Sequence, residues 1–264
     1  MNRVFFCDID GTILDVHRNM KELSAKTRYA FQQLKKQGDL VFIASGRNYE
    51  LLGEQILSLD ASGYVLCNGA YVLIDGKEIY SAAFSKDEVK AMIAATHAHR
   101  GLCIIEAWDR IYVSIEDNEV YRKFIADWKF QGKDMKEFGS YDIPYYIAMI
   151  GLPDETQASQ VEKDLSDLYL VRHNHTISYD VNVAGIHKGI GVQKTIEYLK
   201  VPYENTYCFA DAMNDLEMLQ SVAHPVIMAN AHPGLKAFGF EETADVKDDG
   251  FYEYLVRNQL IKES

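Results

Sequence analysis

Two aspartates that stand two positions apart, Asp8 and Asp10, are the residues of this chain whose type and spacing point most directly to chemistry. They follow the apolar run 4–7 and precede Gly11, so a buried strand would end in a glycine turn that carries two carboxylates. Carboxylates held close together with little water repel each other and need a cation. Mg²⁺ prefers oxygen ligands and keeps positions open for phosphate oxygens, so the pair indicates a phosphoryl-transfer site. A polar turn after a strand is the alternative.

A second group of residues, Ser45, Gly46 and Arg47, precedes a helix-like stretch at 49–57. A hydroxyl and free backbone N–H groups at a helix N-terminus can hold a phosphate, and a guanidinium could add a charged fork. A plain N-cap serine is the alternative interpretation of the same residues.

Two further groups lie late in the chain. Lys188 stands with Gly189 at the start of a predicted helix, where its ammonium could neutralise phosphate charge, although a surface lysine is the commoner case. Asp211, Asn214 and Asp215 follow an apolar run and offer two carboxylates and an amide within one turn. An acidic helix N-terminus is the alternative there.

Apolar runs must position these groups, and each run is followed closely by a polar residue; the runs are 4–7, 40–44, 64–67 and 207–209. Continuous apolar runs are typical of strands that are covered on both faces, as in a parallel sheet. In doubly wound folds ligands bind beyond the carboxyl ends of the strands, so residues distant in sequence would meet at one edge. A helical pattern at 23–37, with Ser24 as cap and Gly38 as stop, completes a βαβ unit. We therefore predict an α/β fold with a doubly wound, mostly parallel, Rossmann-like sheet.

The middle of the chain has a different pattern. Helix-like and strand-like stretches alternate there, at 86–99, 102–115, 117–130, 145–150, 155–168, 169–172 and 176–181. The stretch 102–115 reads as a hairpin whose turn contains Trp108 and Arg110. Such a mixture predicts an inserted α+β unit. We expect a core made of residues 1–83 and 184–264, and an inserted domain at 84–183.

Composition narrows the function classes. The chain has 264 residues, of which 48% are hydrophobic, so it can bury a substantial core. A formal net charge of −12 argues against a nucleic-acid or anionic-membrane partner and favours small molecules. The four cysteines lie far apart, which suggests neither a disulfide framework nor a zinc site. No export signal or membrane-spanning run is evident, so we expect a cytoplasmic protein.

The order of these groups resembles the pattern of the haloacid dehalogenase-like superfamily, in particular its Cof-type branch of phosphatases with a large α/β cap inserted in the core. The likeness spans nearly the whole chain and includes the stretches 68–70 (Asn-Gly-Ala) and 228–232 (Met-Ala-Asn-Ala-His). It implies that Asp8 is a nucleophile that forms an aspartyl-phosphate, and that Asp10 serves as general acid and base. It further implies a set of phosphate-binding and supporting residues: Ser45, Lys188, Thr12, Gly46 and Arg47.

The resemblance also implies a Mg²⁺ site. Its ligands would be Asp8, the backbone carbonyl of Asp10 and Asp211, with Asp215 in the same metal set and Asn214 helping to orient the lysine and the phosphate. The family usually has Gly-Asp where this chain has Ala210 before Asp211. Because alanine is small, we expect the strand end to keep its shape.

We therefore expect a Mg²⁺-dependent phosphatase that hydrolyses small phosphorylated metabolites, above all sugar phosphates. The alternatives are a phosphomutase-type phosphotransferase and a non-catalytic phosphometabolite-binding module; the paired acids argue against the binding module. Aromatic faces suit sugar rings and polar side chains bond hydroxyls, so the candidate substrate contacts in the cap are Trp108, Arg110, His173, Asn174 and His175. No motif identifies the ester or the oligomeric state.

Overall fold

The structure is a computed structural model and describes residues 2–114, 118–128, 135–173 and 176–263. It divides into two compact units: the first contains Met1–Arg47, Leu51–Ser81 and His187–Ser264, and the second contains Asn48–Glu50 and Ala82–Ile186. The short segment Asn48–Glu50, which the sequence analysis places in the core, therefore groups with the second unit. The expected domain boundaries after residues 83 and 183 remain a prediction.

Strands and helices alternate along the chain. The strands are β1 (Val4–Cys7), β2 (Leu40–Ala44), β3 (Gly63–Leu66), β4 (Tyr71–Ile74), β5 (Lys77–Ser81), β6 (Leu102–Glu106), β7 (Ile111–Ser114), β8 (Lys136–Glu137), β9 (Ile147–Gly151), β10 (Tyr169–Arg172), β11 (Ser178–Asn182), β12 (Thr206–Ala210), β13 (His224–Ile227) and β14 (Glu241–Glu242). The helices are α1 (Ala25–Lys36), α2 (Tyr49–Leu57), α3 (Lys86–Ala98), α4 (Glu119–Trp128), α5 (Glu155–Asp164), α6 (Lys188–Leu199), α7 (Leu216–Leu219), α8 (Pro233–Lys236) and α9 (Gly250–Arg257).

The first unit is built on one sheet with the strand order β14-β13-β12-β1-β2-β3-β4-β5. Pairing is parallel from β14 to β3 and antiparallel for β3–β4 and β4–β5. The chain therefore has a mostly parallel α/β sheet, and the predicted fold class is confirmed. The strand order reverses next to β1, so the carboxyl end of β1 lies where doubly wound folds bind ligands.

Helices cover both faces of the central strands. Phe6 belongs to a buried cluster that includes Val192 of α6 and Met218 of α7. On the other face Phe31 of α1 contacts Phe251 of α9, whose ring lies 4.8 Å from that of Phe209. Because neither face of these strands meets water, their sequences are continuously apolar, and each fully buried large side chain contributes roughly 1.5–3 kcal/mol.

Local signals set the ends of α1 as the sequence predicts. The Ser24 side chain accepts a hydrogen bond from the backbone N–H of Thr27, which is the role of an N-cap. Gln37 ends the helix, and Gly38 follows with a φ of 83°, a left-handed conformation that favours glycine. The predicted βαβ unit is thus confirmed.

The second unit has its own sheet, with the order β10-β11-β9-β6-β7-β8. Its pairs are antiparallel except for β7–β8. One face packs on α3 and α5 through a cluster that includes Val89, Cys103 and Val161. The predicted α+β character and the hairpin at β6 and β7 are confirmed. The helix predicted at 155–168 is shorter than expected, because α5 ends at Asp164.

None of the helices in the described ranges combines the length and the apolar character that crossing a bilayer requires.

Candidate active site

Asp8 directly follows β1, and only 5% of the residue is exposed. Its backbone N–H donates to the carbonyl of Phe209 at 3.0 Å, so the pairing between β1 and β12 continues past the end of the apolar run. The strand therefore brings a buried carboxylate to the carboxyl end of the sheet, where the sequence predicts it.

Lys188 supplies a cation to this carboxylate. It is the first residue of α6, and its Nζ donates to Oδ1 of Asp8 and to Oδ1 of Asp215, each at 2.6 Å. Lys188 is 2% exposed and Asp215 is 0% exposed. Burial alone would lower the pKa of Lys188, but Asp215 and Asp8 raise it above its ordinary value. Lys188 is therefore a buried, charged donor and not a surface lysine.

Asp211 adds a third carboxylate, and we call Asp8, Asp211 and Asp215 the first acid group. One carboxylate oxygen from each lies within 4.8 Å of the others. Burial raises the pKa of Asp8 to about 8; Lys188 opposes this shift, whereas Asp215 and Asp211 add to it. Burial, followed by the charge of Asp215, raises the pKa of Asp211 to about 7. A further cation nearby would favour the ionised forms of Asp8 and Asp211.

The donor set of the first acid group fits a hard divalent cation. One carboxylate oxygen of each residue lies within 4.8 Å of the other two, so the three side chains are close enough to converge on one cation, and a hard divalent ion such as Mg²⁺ prefers oxygen ligands. Two buried cysteines, Cys7 and Cys208, lie on the neighbouring strands β1 and β12. Burial raises the pKa of both thiols well above the ordinary value, so they offer no thiolate that would favour zinc.

Gly11 makes a close approach between two loops possible. Its φ is 84°, and a Cβ at this position would lie 2.1 Å from Oδ2 of Asp211. The carboxylate of Asp211 thus rests against the Cα of Gly11, and the hydroxyl of Thr12 lies 3.4 Å from Oδ1 of Asp211. Only glycine fits here, both for its backbone conformation and for the space available.

Ala210 does not disturb the end of β12 that leads to Asp211. The strand includes Ala210, which is fully buried, pairs with Ile227 and accepts a hydrogen bond from the N–H of Met228 at 3.0 Å. Extended backbone is open to any residue, so glycine's conformational freedom is not needed at this position. The expectation that the strand end keeps its shape is confirmed.

Asp10 occupies a different environment from the first acid group. Its side chain is 48% exposed and forms a two-pronged ion pair with Arg47: Nε to Oδ2 at 3.0 Å and Nη2 to Oδ1 at 2.6 Å. Arg47 also donates from Nη1 to the carbonyl of Leu51. The sequence interpretation gave Arg47 a supporting role at the phosphate, and the structure shows that its guanidinium holds the predicted general acid.

Ser45 is buried at the end of β2, with 2% exposure. Its hydroxyl accepts a hydrogen bond from the N–H of Arg47 at 3.2 Å. Because α2 begins only at Tyr49, Ser45 caps the turn before the helix and not the helix itself, so the alternative of a plain helix N-cap does not apply. The phosphate-binding role of Ser45 stays a prediction. Gly46 packs against Asn68, whose Oδ1 would lie 2.9 Å from a Cβ at Gly46.

The loop after β3 supports Lys188. Gly69 has a φ of 91°, and a Cβ there would lie 2.2 Å from the carbonyl oxygen of His187. The stretch 68–70 thus packs against the start of α6 and fixes the position of Lys188, its first residue. Asn214 behaves differently from the prediction: its side chain is exposed, and among the described residues the structure pairs Lys188 with Asp8 and Asp215, not with Asn214.

The sequence analysis assigned no role to Asn230. Its amide nitrogen donates to the carbonyl of Gly11 at 2.7 Å, and its amide oxygen accepts from the N–H of Val246 at 2.9 Å. The only signal in the sequence is its place in the stretch 228–232, because hydrogen bonds between loops leave no periodic pattern.

The candidate substrate contacts lie in the second unit. Trp108 accepts a backbone hydrogen bond from Tyr49 at 2.7 Å, and the two rings are 5.8 Å apart. His173 bonds Asp180 at 3.0 Å and the hydroxyl of Ser178 at 2.8 Å. Arg110 is exposed, and Asn174 and His175 lie outside the described residues.

The fold and the first acid group define a class of enzymes with a doubly wound α/β core, which place paired aspartates and a second acidic turn at the carboxyl ends of parallel strands and hold a buried lysine beside them. The family model for haloacid dehalogenase-like hydrolases matches residues 5–255, and the chain belongs to this family. The resemblance stated from the sequence is thereby confirmed, as is the expected enzyme class of phosphoric monoester hydrolases.

Relatives and solved structures agree with this membership. YkrA of Bacillus subtilis strain 168 is 28% identical over 261 residues, which cover 99% of each chain. The 5-amino-6-(5-phospho-D-ribitylamino)uracil phosphatase YitU of the same organism is 26% identical over 262 residues, or 94% of each chain. The crystallised subclass IIB sugar phosphatase BT4131 superposes with a TM-score of 0.80 at 25% identity, covering 98% of this chain and 100% of the other.

Proposed function

We propose that this chain is a Mg²⁺-dependent phosphatase that hydrolyses small phosphorylated metabolites, most of all sugar phosphates, through an aspartyl-phosphate on Asp8. The observation that carries the proposal is the arrangement of Lys188 between Asp8 and Asp215, with Asp211 in the same group of carboxylates. This arrangement orients one buried carboxylate and surrounds it with charge that a phosphate ester and a metal ion would complement.

Asp8 is suited to attack phosphorus because it is fixed and shielded from water. Lys188 holds Oδ1 at 2.6 Å, which orients the carboxylate and leaves Lys188 placed to hold a phosphate oxygen. A carboxylate oxygen of Asp8 bonds to phosphorus as the ester oxygen departs, which gives an acyl phosphate and an alkoxide. Water then attacks phosphorus, phosphate leaves, and the carboxylate of Asp8 is restored.

Asp10 is suited to move the protons in both steps. It is half exposed and two residues from Asp8, so it can give a proton to the departing alkoxide and later take one from the attacking water. In the structure Arg47 donates a hydrogen bond to each of its oxygens, so neither oxygen is free to exchange a proton with a substrate. We therefore infer that the Asp10–Arg47 pair opens when substrate binds.

Asp8, Asp211 and the backbone carbonyl of Asp10 would hold Mg²⁺, with Asp215 fixing Lys188 beside them. When bound, the ion supplies charge that offsets the repulsion between phosphate and the carboxylates. Asp211 reaches this position because Gly11 leaves room for its carboxylate. Asn214, which is exposed on the adjacent turn, remains available to a phosphate oxygen.

Small phosphate esters are the substrates that charge and relatedness support. The net charge of −12 disfavours polyanionic partners, and relatives include a sugar phosphatase and a phosphatase of a phosphoribityl compound. We propose that the inserted domain at 84–183 supplies the side chains that choose the ester. The four cysteines are free and buried, which suits a reducing cytoplasm.

The test is release of inorganic phosphate by the purified full chain from a panel of sugar phosphates and other small phosphate esters. Excess chelator should abolish release, Mg²⁺ should restore it, and Zn²⁺ should replace Mg²⁺ poorly because every proposed ligand is an oxygen. Full activity in excess chelator would contradict the metal assignment. Conversion of a sugar phosphate to an isomer without phosphate release would favour the phosphomutase alternative.

A further inference from the structure

Asn230 uses both ends of its side-chain amide to join two loops. It follows β13, donates from Nδ2 to the carbonyl of Gly11 at 2.7 Å, and accepts at Oδ1 from the N–H of Val246 at 2.9 Å. A donor at one end and an acceptor at the other fix the orientation of the amide. Its partner Gly11 lies in the loop that carries Asp8 and Asp10.

The segment that contains Asn230 also hydrogen-bonds the loop that carries Asp211. We call the loop with Asp8 and Asp10 the first acidic loop and the loop with Asp211 the second. The N–H of His232 donates to the carbonyl of Asp211 at 2.7 Å, and the N–H of Met228 donates to the carbonyl of Ala210 at 3.0 Å. A hydrogen bond from the N–H of Ala231 to the carbonyl of Met228 at 2.8 Å closes the turn between these contacts. One compact segment therefore binds both acidic loops.

The contact at Gly11 connects this hydrogen bonding to the first acid group. A Cβ on Gly11 would lie 2.1 Å from Oδ2 of Asp211, so the backbone of one acidic loop packs directly on the carboxylate of the other. A shift of the Gly11 peptide would therefore change the distance between Asp211 and Asp8. Asn230 is the side chain that restrains this peptide from the side of the turn 228–232.

We propose that Asn230 is a positioning residue that sets the spacing between Asp8 and Asp211 and so prepares their oxygens for a divalent cation. Asn230 touches none of the reacting groups, and it acts through the carbonyl of Gly11. The inference rests on the proposed function, because it concerns the metal that the first acid group would bind. Partners of metal ligands commonly change metal affinity when they are removed.

The experiment measures binding of Mg²⁺ alone to the full-length, chelator-stripped protein by calorimetry, without substrate. Asn230→Ala should weaken Mg²⁺ binding roughly tenfold, and saturating Mg²⁺ should recover most of kcat. Asn258→Ala is the matched control: Asn258 also donates its amide to a backbone carbonyl, that of Tyr254 at 3.0 Å, but it lies at the end of α9. The control should bind Mg²⁺ like the wild type.

A second variant covers the case in which Asn230→Ala does not fold. Asn230→Asp keeps an oxygen that can accept from Val246 but loses the donor to Gly11. Its added negative charge alone would tighten Mg²⁺ binding, so weaker binding would have to come from altered spacing. Unchanged or tighter binding in the folded Asn230 variants, with normal binding and turnover in the wild type, would overturn the inference alone. A wild type that neither binds Mg²⁺ nor releases phosphate would overturn the proposed function.

Discussion

The two units of the chain both bury carboxylates, but they neutralise them in different ways. In the first acid group, Asp8 and Asp215 share the ammonium of Lys188, and Asp211 joins them within the reach of one metal ion. In the second unit, Glu106 lies beside Asp180 and Glu50, and we call these three residues the second acid group. The two groups differ in what compensates the charge.

Strand pairing brings the second acid group together. Ile104 of β6, Met149 of β9 and Asp180 of β11 are aligned, and Glu106 lies two residues after Ile104 on the same face. This face is opposite to the one that α3 and α5 cover through Cys103. Backbone pairing therefore puts two acids on one face of the sheet without a buried lysine in the described part of this unit.

The second acid group is compensated through the pKa of Glu106. Burial raises the pKa of Glu106 from 4.5 to about 8, and the charges of Asp180 and Glu50 add to the shift. The buried Oε2 of Glu106 has no hydrogen-bond partner among the residues that the structure describes, whereas Asp180 pairs with His173. The comparison teaches that clustered acids can be compensated by a fixed ammonium or by a raised carboxyl pKa, so burial of acids does not by itself indicate a metal site.

The largest expected effect concerns activity in the first acid group. Asp8→Asn removes the attacking carboxylate at constant size, so kcat should fall by at least about 10⁴-fold, because no neighbouring group can replace a nucleophile. Steady-state phosphate release measures this effect, and circular dichroism checks that the variant is folded. Retention of a tenth of wild-type activity would remove Asp8 from the nucleophile role.

The same carboxyl-to-amide change in the second acid group tests whether the loss of any buried carboxyl lowers activity, or only the loss of Asp8. Glu106→Gln is the matched control for Asp8→Asn, since it also converts a buried carboxyl into an amide. Its kcat on a small aryl phosphate should stay within about twofold of the wild type if the second acid group takes no part in the chemistry.

The next largest effect is loss of the buried cation. Lys188→Met leaves the first acid group without its ammonium, which should cost about 3–5 kcal/mol of unfolding free energy in chelated protein near neutral pH. Mg²⁺ should recover part of this loss because it can take over some of the charge. Differential scanning calorimetry with and without Mg²⁺ measures both values.

Lys194 provides the control for that substitution. It lies on the same helix, its side chain is 43% exposed, and it pairs with Glu197. Lys194→Met should therefore change the unfolding free energy by no more than about 0.5 kcal/mol. If Lys188→Met costs no more than Lys194→Met, the buried lysine does not stabilise the first acid group.

The third prediction reverses the sign of the stability change. Because the folded pKa of Glu106 is about 8 and its ordinary value is 4.5, the folded state binds more protons between these values and loses stability as the pH rises through them. Glu106→Gln removes this penalty, so it should raise the unfolding free energy at about pH 8.5 by on the order of 2 kcal/mol and have little effect below about pH 4.5.

Tryptophan fluorescence in urea can measure this change. Both tryptophans of the chain, Trp108 and Trp128, belong to the second unit, so their emission follows its unfolding. The exposed Glu137 on β8 is the matched control, because Glu137→Gln makes the same substitution at an exposed carboxyl of the same unit. An identical pH dependence in Glu106→Gln and wild type would mean that Glu106 is not a buried acid.

The contrast also shows what a sequence can predict. The central strands could be predicted because both their faces are covered, and Asp8, Asp211 and Asp215 could be brought together because parallel strands end at one edge. Lys188 was placed with them only by the family resemblance. The hairpin β4–β5 was missed, since β5 is mostly exposed and has no apolar pattern.

Features that depend on partners distant in sequence were not predictable. The ion pair between Asp10 and Arg47, the tie from Asn230 to Gly11 and the burial of Glu106 each require loops or strands to be in place first. The same holds for Asn48, which bonds the carbonyl of Ala107 at 3.3 Å and groups with the second unit. The residue types of Asp10 and Arg47 suggested a role at a phosphate, but only the folded chain shows which side chain or carbonyl each residue bonds.

The smallest effect concerns the ion pair at the edge of the second acid group. The hydrogen bond to Asp180 raises the pKa of His173 above 6.5, so the pair stabilises the folded state fully below about pH 6.5 and loses this contribution as the pH rises through the folded pKa. Since both side chains are partly exposed, His173→Asn should cost about 0.5 kcal/mol more at about pH 5.5 than at about pH 8.5.

His97 is the matched control for His173, because its Nε2 bonds the hydroxyl of Ser114 at 2.8 Å in the same unit. Tryptophan fluorescence in urea measures the difference for His173→Asn, with His97→Asn as a second histidine substitution in the same unit. Kinetics with His173→Asn test its other expected role: a substrate contact should reorder kcat/KM among sugar phosphates and leave a small aryl phosphate nearly unchanged. A changed pH dependence of stability with an unchanged order of substrates would make His173 a structural partner of the second acid group. The reverse result would assign it to substrate selection.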